Sequence, residues 1–214
     1  IGFTCYVRHM ERLAWNSDIA RRCLERHWRF SSWLSLGLSM DMILDYVYFV
    51  VAGALLGAAA VGAANATRSL LGVSRIVNAG LENIAPARAA ERFHQGGVHA
   101  LVRYLTGLTT VISVMTAGVT LAIALLPEFW LRLAFGEEYA GYDNLVWWWS
   151  AIHFLYAAMV VLNTGLFAIE RTKAMFVASV LSAVTGVAGA YAIVTMFGLN
   201  GMLAGIFAMS LIRV

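Results

Sequence analysis

The stretch SLGLSMDMILDYVYFVVAGALLG, Ser35–Gly57, is apolar enough to lie in a bilayer and yet carries Asp41 and Asp45. A spanning helix needs about 20 mostly apolar residues. A carboxylate in hydrocarbon is expensive, and it turns toward a bundle interior where a partner or water can meet it. Two acids four residues apart share one helix face. The stretch therefore predicts a membrane helix bundle whose interior carries charge.

Composition agrees. Of 214 residues, 61% are hydrophobic and 13% charged, with a mean hydropathy of +0.74. A soluble domain is about half apolar and a quarter charged, so a larger core does not explain the excess. The expected class is all-α, a polytopic membrane bundle of about six transmembrane helices. They run roughly over Trp33–Leu56, Val61–Ile84, Val102–Leu126, Leu145–Ala168, Met175–Phe197 and from Leu199 onward. Residues 1–30 read as a cytoplasmic basic linker, and 31–214 as a six-helix bundle whose last helix is cut off at Val214. The chain reads as a piece of a longer protein. Its first 30 residues have no continuous apolar core of the kind a signal peptide needs.

Short connections, GAAAVG between the first two spans and GLNG between the last two, predict tight hairpins. The small-residue pairs Gly53/Gly57 and Gly201/Gly205 have the spacing of close helix contact. RAAERFHQGGVHALVRY, broken by Gly96-Gly97, reads as an interfacial helix on the cytoplasmic side. Its His94 and His99 make a poor metal site. Cys5 and Cys23 read as two free thiols.

Orientation follows from the basic residues. With a cytoplasmic N-terminus, twelve of the 15 fall inside, only Arg132 falls outside, and Arg68 and Arg75 lie within the second span. Trp28 and Trp33 then mark the inner boundary. Trp130 and Trp147–Trp149 mark the outer one, as an aromatic belt.

The second span carries the main polar signal. Arg68, Arg75 and Glu82 are spaced by seven, with Asn78 between them and Asn65 near the outer end. Seven helical steps drift only about 20°, so these residues are expected to form one stripe lining a polar path. Counting from the GAAAVG hairpin places Asp45 level with Arg75, as an ion pair. Asp41 falls level with Asn78 and Glu82. Arg68 is the candidate for an anion, particularly a phosphate, which its planar fork can hold bidentately. Arg68, Arg75, Asn78 and Asn65 are thus the substrate-binding candidates, and Asp41, Asp45 and Glu82 the ion-pair or coupling candidates. In the fourth span His153 reads as a packed, hydrogen-bonded residue. No phosphate-binding P-loop, metal cluster or nucleophile elbow occurs. No catalytic residue, metal or cofactor is expected, and transport energy would come from an ion gradient or the substrate's own.

These features stand in a recognisable order: LDYVYFVVAGALLGAAAVGAANATRSLL, NIAPARAAERF with Pro86 at the cytoplasmic helix end, LRLAFGEEYAGYDNL, GLFAIERTKAMF and FGLNGMLAG. Over about residues 28–214 the chain resembles the second half of a bacterial polysaccharide (O-antigen type) flippase. That family belongs to the multidrug/oligosaccharidyl-lipid/polysaccharide exporter superfamily. The resemblance implies two related bundles around a central cavity and alternating access. It also implies polyprenyl-pyrophosphate-linked oligosaccharide as cargo, the inner membrane as location, and an N-terminal half as partner. The rivals are a cation-coupled multidrug exporter, which would use Asp41 and Asp45 as a cation site, and a membrane glycosyltransferase or polymerase. The short outer loop argues against the enzyme.

Overall fold

The computed structural model describes residues 17–214, and within them the side chains of all but positions 17, 19, 20, 23, 26, 29, 30, 45 and 77. Cys5 and the side chain of Cys23 therefore lie outside the described residues. The described chain is all-helical, with no strand. It comprises α1 (Ser17–Leu56), α2 (Ala58–Leu70), α3 (Gly72–Ala124), α4 (Pro127–Phe135), a 3-10 turn (Glu137–Tyr142), α5 (Asp143–Ala168) and α6 (Thr172–Arg213). Among the described residues four helical stretches are long and apolar enough to cross a membrane: Ser31–Leu56, Gly72–Ala124, Glu137–Ala168 and Thr172–Arg213.

Two of the four fold back on themselves. The 53 residues of α3 would reach about 80 Å if straight, but the backbone leaves helical geometry at Gly96 and Gly97. Ala85 then packs in one cluster with Leu108 and Ile112, and Ala89 in another with Leu101. As numbers rise on one arm they fall on the other, so the arms are antiparallel. In α6 the break is Gly198, at φ 58 and ψ −135, a conformation glycine adopts without Cβ strain. The Ser182 hydroxyl, before the break, donates to the carbonyl of Met209, after it, at 3.0 Å.

The first hairpin is tighter than GAAAVG suggests. Gly57 alone turns it, at φ 86. Ala58–Ala60 already belong to α2, as expected of the best helix former. The continuous second span predicted over Val61–Ile84 is corrected: it is interrupted at Leu71. There the Leu71 carbonyl accepts both the Ser74 N–H (3.1 Å) and the Ser74 hydroxyl (2.8 Å). A serine that bonds to nearby backbone offers the chain an alternative to continuous helix. Nor does the helix end at Pro86. It runs on to Gly96, with Pro86 merely withholding a donor from the Glu82 carbonyl. The predicted interfacial helix is therefore the ends of the two α3 arms. Residues 17–30 of the predicted linker are helix continuous with the first span, and residues 1–16 lie outside the described residues. The connection expected on the outside is helical: it forms α4 and the 3-10 turn.

Packing divides the helices into two pairs. α1 packs chiefly on α6 and α3 chiefly on α5, and α5 joins the pairs through α6. Among the described residues α1 and α3 share no extensive contact. A wedge opens between them, bridged by α2. At one end of the bundle lie Gly57, α4 and an amide–amide bond from Asn144 to Asn200 at 3.1 Å. At the other lie Gly96, the α5–α6 turn, and Trp33 packed on Phe176 with ring centroids 5.1 Å apart.

A charged cavity between two helix pairs

The wedge is a cavity of about 650 Å³. It runs from Phe49, Asn65, Arg68 and Trp149 near the Gly57 end to Leu34, Pro86 and Phe167 near the Gly96 end. Among the described residues five charged ones line it: Asp41, Arg68, Arg75, Glu82 and Arg213. The seven-residue spacing thus brings Arg68, Arg75 and Glu82 to one wall, despite the break at Leu71. Asn65 joins them.

Asn78 departs from the stripe. It is fully buried and absent from the cavity wall. Three helical steps from Arg75 turn it by roughly 60°, which carries it into protein. Its amide oxygen and nitrogen find no hydrogen-bond partner among the described residues.

The acids are held differently from the expected scheme. Asp41 forms an ion pair with Arg213, at the end of α6, at 2.5 Å. Glu82 accepts a hydrogen bond from the Tyr156 hydroxyl of α5 at 2.5 Å. The side chain of Asp45 lies outside the described residues, so the expected Asp45–Arg75 pair lies there too. Arg75 itself is exposed on the cavity wall. Among the described residues no carboxylate lies within 4.0 Å of its guanidinium.

Arg68 meets aromatic rings. Its guanidinium carbon lies 5.4 Å from the centroid of Phe49 and 5.5 Å from that of Trp149. The two rings are stacked, 6.4 Å apart at 21°. Trp149 is therefore core rather than membrane belt, with 4% of its surface exposed. Trp148 packs edge-on against Phe207, and Trp147 alone of the three is exposed. His153 is buried, its Nδ1 2.8 Å from the Trp149 carbonyl, as expected of a packed histidine. It lies within electrostatic reach of both Arg68 and Arg75.

Sequence reasoning missed Arg213, Tyr156, Phe49 and Trp149 as members of this site. Phe49 was open to discovery: it continues the four-residue spacing of Asp41 and Asp45 on one face. Tyr156 and Arg213 lie 74 and 172 positions from their partners, and no local pattern links them.

Among the described residues no group of His, Cys, Asp and Glu converges on a metal position. Outside the cavity, Arg132 pairs with Glu137 (3.2 Å) and more loosely with Glu128 (3.8 Å) on an exposed surface. Fold and site together define a helical chain, apolar enough to cross a membrane four times, around a charged cavity. No family model, curated protein or solved structure matches it.

Proposed function

We propose that the protein is a flippase for polyprenyl-pyrophosphate-linked oligosaccharide, serving cell-surface (lipopolysaccharide O-antigen) synthesis in the bacterial inner membrane. The observation that carries this reading is the placement of Arg68 and Arg75 on the wall of a cavity enclosed by apolar helices. Guanidinium groups suit the oxygens of a pyrophosphate, and they are tolerated at membrane depth where they face a cavity. Counting the doubled-back α3 and α6 as two passes each, and α2 with the first arm of α3 as one, gives six. The basic residues Arg88, Arg92, Arg103, Arg171 and Lys173 then gather at the Gly96 end, which we assign to the cytoplasm. The six passes are the C-terminal bundle, and an N-terminal half completes the transport path. The cargo crosses by alternating access. No bond is made or broken, so the protein is not an enzyme.

The drug-exporter alternative needs Asp41 free to take a cation. The Asp41–Arg213 pair favours the flippase instead. The deciding experiment is glycan export in cells carrying Arg68→Ala, with expression monitored. Export should be lost, and Arg68→Lys should restore part of it. Full export by the alanine variant would overturn the proposal.

A further inference from the structure

We infer that His153 is the proton-binding residue of the cavity, and that it takes up a proton as an oxyanion binds beside it at Arg75. The inference deepens the functional reading above and rests on it. On α5, Trp149, His153 and Tyr156 stand at i, i+4 and i+7, which places them within about 60° of one another on one face. All three line the cavity. The stripe facing them is Arg68, Arg75 and Glu82. Trp149 meets Arg68, with the guanidinium carbon 5.5 Å from the ring centroid, and Tyr156 meets Glu82 at 2.5 Å. His153 and Arg75 are the middle members of the two stripes. They therefore stand at similar depth, within electrostatic reach of each other.

The histidine ring is held in one tautomer. A backbone carbonyl only accepts, so the 2.8 Å contact with Trp149 requires the hydrogen on Nδ1. The neutral ring then carries its lone pair on Nε2. Among the described residues no hydrogen-bond partner meets Nε2, and the ring lines the cavity. Imidazole is the side chain whose ordinary titration falls between about pH 5 and 8. A proton on Nε2 turns it from an acceptor into a charged donor beside Arg75, and the two groups then suit one oxyanion.

Among the described residues the charged and titratable groups that share the cavity with the ring are Arg68 from α2, Arg75 and Glu82 from α3, Asp41 from α1, Arg213 from α6 and Tyr156 on its own helix. The acids are engaged elsewhere: Glu82 accepts from Tyr156, and Asp41 pairs with Arg213. Three guanidinium groups against two carboxylates leave one positive charge in excess. Asp45, whose side chain lies outside the described residues, could only reduce that excess. A doubly ionised pyrophosphate exceeds it, and a proton on His153 makes up the difference. Proton and oxyanion therefore favour each other's binding, and by linkage the effect is reciprocal.

The test uses the protein in liposomes, with farnesyl pyrophosphate as the probe and farnesol as the uncharged control. Calorimetry between about pH 5 and 8, in buffers of different ionisation enthalpy, gives the protons taken up per probe bound. The probe titrates too, so the readout is the difference between wild type and variant. His153→Asn is the main variant, because its amide N–H can keep the bond to the Trp149 carbonyl without titrating. Where the difference is largest, wild type should take up about one proton more per probe than His153→Asn. Its affinity should also rise by up to about tenfold more per pH unit on acidification. Farnesol should bind both without proton uptake. Arg75→Ala should weaken probe binding and remove most of the extra proton. Detergent melting temperatures are read alongside, and His153→Gln is the second neutral variant if His153→Asn melts early. If the neutral variants take up as many protons as wild type, the inference is overturned. So it is if the extra proton is lost in Glu82→Gln and kept in His153→Asn, since it then belongs to Glu82. If Arg68→Ala and Arg75→Ala both bind the pyrophosphate as wild type, the functional reading falls first. If they lose binding while His153→Asn keeps the wild-type pH dependence, only the present inference falls.

Discussion

Gly201→Ala should destabilise the α6 hairpin although it replaces glycine within a helix by the best helix former. A Cβ built at Gly201 would land on the carbonyl oxygen of Ile193, 2.9 Å from that residue's carbonyl carbon and 2.9 Å from the Cβ of Phe197. None of these atoms ends a flexible side chain. Relief requires the two arms of α6 to separate. Overpacking of this kind costs about 1–3 kcal/mol, against a helix-propensity gain of roughly 1 kcal/mol. The clash outweighs the propensity gain over most of that range, with a net loss of up to about 2 kcal/mol, or up to roughly 4–8 °C in melting temperature for a chain of this size. Gly107→Ala and Gly118→Ala are the controls. Both are exposed helical glycines of α3 with nothing within 4 Å of the added Cβ, and both should be neutral or slightly stabilising. The assay is thermal unfolding in detergent, followed by fluorescence-detected size exclusion in one background. Gly201→Ala melting together with the two controls would refute the close approach of the arms.

Four further outcomes follow from the cavity and the outer surface. Asp41→Ala and Arg213→Ala should each destabilise the protein by about 1–2 kcal/mol, below the 3–5 kcal/mol of a fully buried pair, since the side chains are 26% and 15% exposed. The swap of the two residues should recover part of the loss, and strict additivity in the double variant would show that they do not interact. Tyr156→Phe should lower the melting temperature by removing the donor to Glu82, a bond of about 1.5–3 kcal/mol when the acceptor is charged. Unchanged melting would place the two apart. Arg75→Ala should leave the melting temperature within a degree or so while reducing export, because no described carboxylate depends on it. A large loss of stability would revive a structural pair for Arg75. A cysteine at position 137 should react with a membrane-impermeant thiol reagent only from the outer face, and labelling from the cytoplasmic face alone would invert the topology.

The cavity was legible where helical periodicity applies and lost where contacts are long-range. Arg68, Arg75 and Glu82 share a wall because the seven-residue spacing carries through Leu71, and Asn65, three residues before Arg68, joins them. Asn78 was misplaced because a 60° departure separates the cavity wall from a packed interface, and polarity alone does not resolve that angle. Trp149 was taken for an interfacial anchor because its two neighbours fit that role. Three adjacent helical residues point in three directions, and only one was free to be core. The fold-back points at Gly96-Gly97 and Gly198 were readable from composition. The break at Leu71 was not, because a serine bonding to the preceding turn has no sequence signature of its own. Asp41 found Arg213 rather than a neighbour on the second span because α1 packs on α6, a tertiary choice that hydropathy leaves open.

Helix α2 is short, and both its ends are joints. At 13 residues it is about 20 Å long, with Gly57 at one end and Leu71 at the other. Because α1 and α3 share no extensive contact among the described residues, α2 is the link between the pairs on the α1–α3 side, opposite the α5–α6 packing, and it carries Arg68 near its Leu71 end. A rod with a joint at each end converts relative sliding of the pairs into its own rotation. A few degrees of rocking between the α1–α6 pair and the α3–α5 pair would swing the Arg68 side chain along the cavity axis, with no change inside any helix. Stiffening the first joint is the direct way to arrest that stroke. Gly57→Ala forces a side chain onto φ 86, ψ 172, an essentially glycine-only conformation costing about 1–3 kcal/mol for other residues. Such a variant would fold around the same cavity, and under the proposed transport function it should export more slowly than wild type.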